Sequence, residues 1–208
     1  MQMEEVRELR EALERVEGKL IAAEKVYAAM NFALWLSVMS IFYVIAGIGR
    51  VQGWLSPVYW GAAILIGVLL TIKMWNQLKK LYSTFYPEIA KRDSKKMILL
   101  IGLSWAAGSI IGWDVVPSID WVGINADARL GVGFLSFIGL SLLGQWIAMS
   151  RGKGEYEMTP SFLFPFLAIP IAWNMGTGAI LWAGFAVTAG FSLTILLYLY
   201  SAFKVIER

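Results

Sequence analysis

The chain has 208 residues, 58% of them hydrophobic and only 16% charged, and its mean hydropathy is +0.63. Soluble proteins carry roughly 25% charged residues, so a soluble globular domain is excluded. With no cysteine and no histidine, disulfides, the usual zinc sites, nucleophile–imidazole pairs and the common haem ligands are excluded as well.

The first segment, residues 1–27, reads as a cytoplasmic amphipathic helix. Val6, Leu9, Leu13, Val16, Leu20 and Ala23 are spaced alternately by three and four, with Glu, Arg and Lys on the other faces. That is a heptad seam. Lys19 and Glu24 fall at positions able to pair across a parallel dimer. The spacing runs on through Tyr27, Met30 and Leu34 with no proline, so one helix is expected to continue into the first span. The weak point is Gly18, at a cost of about 1 kcal/mol. The seam calls for a cover: the protein's own loops, a cytoplasmic protein, a second copy or the membrane surface. The acidic start lacks the basic region of a cleaved signal peptide, so the first span is expected to remain in the mature protein.

Residues 28–208 read as a six-span transmembrane domain, with spans near 28–49, 57–74, 97–113, 130–149, 161–176 and 179–203. Runs of about 20 apolar residues cross a hydrocarbon core roughly 30 Å thick. In lipid they must be helices, because the backbone finds no water and no alternating barrel pattern appears. The expected fold class is all-α, a six-helix polytopic bundle with an amphipathic N-terminal helix.

Charge sets the orientation. Of the 18 Lys and Arg residues, all but Arg50 and Arg129 fall in segments that the six spans place on one side. Positive charge marks the cytoplasmic side, so both termini are expected inside a cell membrane, inner or plasma. Trp54, Trp60, Trp113, Trp121, Trp173 and Trp182 lie near the outer span ends, with Trp75 and Trp146 near the inner ones, at the headgroup levels that indole favours. The net charge of +3 is therefore an orientation signal, and no nucleic acid is expected as partner.

After the second span, residues 76–96 read NQLKKLYSTFYPEIAKRDSKK. Leu78, Leu81, Tyr82 and Phe85 share one helical face before Pro87 ends the helix. The basic residues suit anionic headgroups. The apolar face, Leu81 and Phe85 in particular, is also a candidate docking element on the same side as the N-terminal seam.

In the third span Ser104, Gly108 and Gly112 recur every fourth residue, a groove for close helix packing, within the chain or against a second copy. The loop DVVPSIDWVGINADAR that follows holds Asp114, Asp120, Asn125 and Asp127. It lacks the glycine placement and closing Glu of an EF-hand, and reads as a solvated acidic loop with Arg129 pairing to one of its acids. The fifth span contains Pro165 and Pro170, with Asn174, Gly176, Thr177 and Gly178 just beyond. Each proline removes a backbone donor, so a kinked or broken helix is expected. Broken helices beside amides line sites in transporters, which makes Pro165, Pro170 and Asn174 the candidate pathway residues.

No ionisable residue falls within a span core, although proton- and ion-coupled carriers usually keep one there. No catalytic constellation, cofactor or metal site is expected either. In general plan the layout resembles the membrane half of ABC-2-type exporters: six spans, inside termini, an amphipathic N-terminal helix and a cytoplasmic element after the second span. It departs from them where the fifth and sixth spans almost touch. The expected function is a membrane-embedded subunit of a transport- or permease-type assembly, driven by a cytoplasmic partner such as an ATPase or a regulator. The alternative is a membrane-anchored scaffold or signalling protein acting through its N-terminal helix.

Overall fold

The computed structural model describes residues 2–48, 54–85, 94–119, 125–150 and 155–207, and no strand occurs among them. Gly49, Arg50, Pro87, Lys91, Arg92, Asp120, Trp121, Arg151, Lys153 and Arg208 lie outside the described residues. The helices are α1 (Gln2–Ile48), α2 (Leu55–Phe85), α3 (Ser94–Ser109), α4 (Ala126–Ser150), α5 (Thr159–Trp173) and α6 (Ala179–Ile206). α3 runs on through a π-helical stretch, Ile110–Val115, into a last α turn at Val116–Ser118.

Five of these helices, α1, α2, extended α3, α4 and α6, are long and apolar enough to cross a membrane. α5 has 15 residues, about 22 Å at 1.5 Å per residue, and falls short by length alone. The chain is thus an all-helical protein with several membrane-compatible helices.

α1 is one unbroken helix of 47 residues, about 70 Å long. The backbone shows no boundary near residue 27. Gly18 is tolerated inside it, facing the backbone and side chain of Val205 near the end of α6. Residues before Gly18 therefore extend beyond α6 as a rod. α2 also continues past the span expected at 57–74, to Phe85, because the apolar face at Leu78 and Leu81 prolongs the helical pattern and no proline intervenes.

The core is the trio α4, α5 and α6, with α1 laid along α6. α2 packs on α1, and α3 on α4. The contacts are tight where side chains are small. The Cβ positions of Gly108 and Gly112 are occupied by Ser141, Phe137 and the Gly133 carbonyl of α4, so only glycine admits this approach. Ser104 donates to its own helix at Ile101 (2.9 Å) and to the Ser141 carbonyl across the pair (3.2 Å).

α5 runs antiparallel to α4. Trp146 near the end of α4 donates to the Glu155 carbonyl (3.0 Å), the Phe166 ring fills the space at Gly139, and Asn125 at the start of α4 reaches Met175 (3.4 Å) and Gly176. α6 then returns parallel to α4, its Ala179 against Gly131. The tight reversal into α6 passes through Gly178, at φ +79°, a left-handed backbone that glycine adopts without steric cost. The end of the bundle that holds the start of α1 and the finish of α6 is called here the terminal end.

Of the kinked or broken helix expected for the fifth span, the break is not found: α5 runs unbroken as an α-helix through Pro165 and Pro170. Its end also comes earlier than residue 176. The reason is visible at Asn174, whose side chain donates to the Pro170 carbonyl (2.7 Å) and closes the helix.

Candidate functional site at the terminal end

Two features meet at the terminal end: the protruding α1 rod and a buried polar cluster at its base. The rod displays the first half of the heptad seam. Val6, Leu9 and Leu13 are 67%, 64% and 60% exposed. Val16 is half-buried and Leu20 is buried. Arg7 pairs with Glu11 (3.1 Å) and Arg10 with Glu14 (3.0 Å), both exposed, which adds a few tenths of a kcal/mol of helical support per pair.

Lys25 lies about two turns beyond Gly18. Its ammonium pairs with Glu157 at 3.1 Å, with side chains 18% and 2% exposed. The same ammonium sits 5.5 Å from the centre of the Tyr198 ring, within cation–π range. Tyr198, fully buried on α6, donates its hydroxyl to the Glu155 carboxylate (2.7 Å) and stacks against Phe32 of α1, 6.1 Å between centroids. Tyr156 and Ser201 share a hydrogen bond of 2.7 Å. The second carboxylate oxygen of Glu157 has no hydrogen-bond partner among the described residues.

The short 3₁₀ turn Tyr156–Met158 presents these groups: it points Glu157 inward while Glu155 and Tyr156 reach α6. The cluster ties α1, the entry of α5 and α6 into one unit, and Trp146 adds α4. A buried pair of this kind is poor as a source of net stability but costly to break from one side. It fixes where α1 sits.

The sequence placed Lys25 in the N-terminal helix, Glu155 and Glu157 between spans and Tyr198 in the last span, and missed their convergence. Lys25 and Glu157 precede the first and fifth spans, and only the packing of α1 on α6 brings them beside Tyr198. One signal was available: Glu155 and Glu157 are acids in a stretch otherwise carrying Arg151 and Lys153.

The remaining candidates lie elsewhere. Leu78 is buried and Leu81 is 38% exposed, and Phe85 is the last residue of α2. Ser104, Gly108 and Gly112 are engaged with α4, as described. Pro165 is buried, whereas Pro170 and Asn174 are exposed at the opposite end. Asn174 spends its amide on the helix terminus, so the structure does not bring the three together around a shared space.

The amides and acids at the end opposite the terminal end act as a clasp. Asn125 accepts from the Ala128 amide (2.7 Å), capping α4, and Asp127 accepts from the Ala179 amide at the start of α6 (2.8 Å). No cluster of three metal-ligating side chains occurs among the described residues. The other amides also bridge helices: Thr71 donates to Asn31 (2.9 Å) and Trp105 to Gln145 (2.9 Å).

No family model, curated protein or solved structure matches this chain. The functional reading therefore rests on the geometry of the terminal end.

Proposed function

We propose that this protein is a six-crossing membrane subunit of a transport- or permease-type assembly, with both termini in the cytoplasm, worked by a cytoplasmic protein that grips the α1 rod. One observation carries the reading. α1 is a single helix that begins with an exposed apolar seam and runs on along the bundle as far as the start of α6, tied where the rod meets the bundle to the entry of α5 and to α6 through Lys25, Glu157 and Tyr198. A pull on the rod is delivered to the core. An energised partner also accounts for spans without an ionisable coupling residue at their centre.

The sixth crossing is α5. What supports it is that the segment containing it, from Glu155 to Gly176, reaches from Trp146 near one end of α4, a helix long enough to span, to Asn125 beside the other end. Together with the preceding 3₁₀ turn the segment adds length toward the roughly 30 Å required. Orientation is supported by charge. Arg7, Arg10, Arg15, Lys19, Lys25, Lys73, Lys79, Lys80, Lys96 and Lys204 all gather toward the terminal end, opposite Arg129, in keeping with a cytoplasmic placement.

A second reading, a membrane-anchored scaffold, is favoured by the close packing of α4, α5 and α6, whose facing positions Ala168, Ala172, Ala179, Ala183 and Val187 are almost fully buried. The test is affinity purification in mild detergent of the wild type beside a Val6→Asp/Leu9→Asp/Leu13→Asp variant. These residues are exposed, so the bundle survives. A cytoplasmic protein is expected to co-purify with the wild type and be lost from the variant. An ATPase would support the assembly reading and a regulator the scaffold. No protein with either form, or equal recovery with both, would overturn the partner-driven reading.

A further inference from the structure

α1 has two neighbours along the bundle, and together they leave one of its faces open. α6 meets it at Gly18, Lys25, Phe32 and Tyr43. α2 meets it at Asn31, Trp35, Val38 and Phe42. The open face follows the heptad: Leu9, Val16, Ala23, Met30, Ser37 and Val44 are spaced by seven. Leu9 is 64% exposed, Met30 48% and Val44 57%, and Ser37 and Ser40 are exposed too.

We propose that this face pairs with its own counterpart on a second copy of the chain, giving a parallel homodimer along α1. Three observations select a second copy over another occupant. First, copies sharing one membrane present their rods in the same direction, and this seam is built for parallel pairing. With Val6 and Leu13 at a and Leu9 and Val16 at d, Glu5 falls at g and Arg10 at e. In a parallel pair Glu5 of one copy faces Arg10 of the partner subunit, twice by symmetry, and Ala12 faces Glu17, so no like charges meet. The ridge carries its own electrostatic complement.

Second, the face continues into the lipid-facing part of α1 as a small and polar strip, Ala33, Ser37 and Ser40. Hydroxyls and small side chains spaced by four and three residues share a helix face and favour close helix association in lipid. Third, the two stretches are collinear on one unbroken helix, so pairing in the membrane holds the rods at high effective concentration and a short seam suffices. Leu20 is committed within its own protomer, so the seam divides into a rod stretch above it and a membrane stretch below. The cytoplasmic protein of the previous section then grips the rods as a pair that the same seam holds together, so loss of the seam removes both. The pairing itself requires no such protein.

The chain has no cysteine, so single cysteines report without background. Leu9→Cys and Ser37→Cys lie on the proposed face. Glu11→Cys lies on the opposite side of the rod, and Leu65→Cys on the exposed side of α2 controls for crowding. Each purified variant is reconstituted in liposomes at low density and oxidised. Leu9→Cys and Ser37→Cys are expected to give covalent dimer several-fold above Glu11→Cys and Leu65→Cys. Adding Arg10→Glu should lower dimer at Leu9→Cys, and further adding Glu5→Arg should restore it. Equal or absent cross-linking at all four sites, or dominance of Leu65→Cys, would overturn the proposal. Because no cytoplasmic protein is present, the cross-linking result is read without reference to the partner.

Discussion

Lys25 and Glu157 show how a single contact decides where a helix lies. The carboxylate is almost wholly out of water and its counter-charge comes from another helix. Removing one partner from a buried pair costs about 3–5 kcal/mol, whereas replacing both by apolar groups is often neutral. Lys25→Met is therefore expected to destabilise the detergent-solubilised protein by about that amount, read by thermal or denaturant unfolding. The double variant Lys25→Met/Glu157→Leu should recover most of the loss. If the single variant unfolds like wild type, the pair does not hold α1 at its base. Asn125, Asp127 and Asn174 act on a smaller scale, each satisfying backbone groups at a helix end, which leaves them occupied with structure at the end opposite the rod.

Among the elements, the α3–α4 pair depends on the absence of side chains. A Cβ at Gly108 would meet Ser141 and the Phe137 carbonyl, whereas the spaces beside Gly102 on the same helix and Gly61 on α2 are open. Gly108→Leu is expected to separate the helices and cost about 1–3 kcal/mol, while Gly102→Leu leaves stability unchanged. Equal unfolding curves for the two would contradict the packing. The stripe of Ser104, Gly108 and Gly112 reads in the sequence as a groove for close packing, within the chain or against a second copy, and in the structure it faces α4. The length of α1 was legible too, since its heptad runs into an apolar stretch without a breaker. The π-helical stretch Ile110–Val115 and the intact passage of α5 through Pro165 and Pro170 were not. Hydropathy weighs side chains and is blind to how neighbouring helices support a backbone lacking donors. The Lys25–Glu157–Tyr198 cluster was hidden for another reason: its members are far apart along the chain, and hydropathy orders helices in sequence, not around a bundle.

At the scale of the whole molecule, the arrangement is a tight trio, α4 to α6, flanked by α1 with α2 outboard on one side and by α3 on the other. Such a plan leaves α2 and α3 largely to lipid and gives α1 two roles, wall of the bundle and rod beyond it. Everything proposed for function follows from the rod facing the cytoplasm across six crossings. The direct measurement is labelling of single-cysteine variants in intact cells with a membrane-impermeant maleimide, before and after permeabilisation. Leu9→Cys in the rod, Tyr156→Cys before α5, Gly176→Cys after α5 and Glu207→Cys at the terminal end suffice. The account predicts that Gly176→Cys labels in intact cells and the other three only after permeabilisation. Labelling of Leu9→Cys from outside, or Tyr156→Cys and Gly176→Cys reporting the same side, would contradict it.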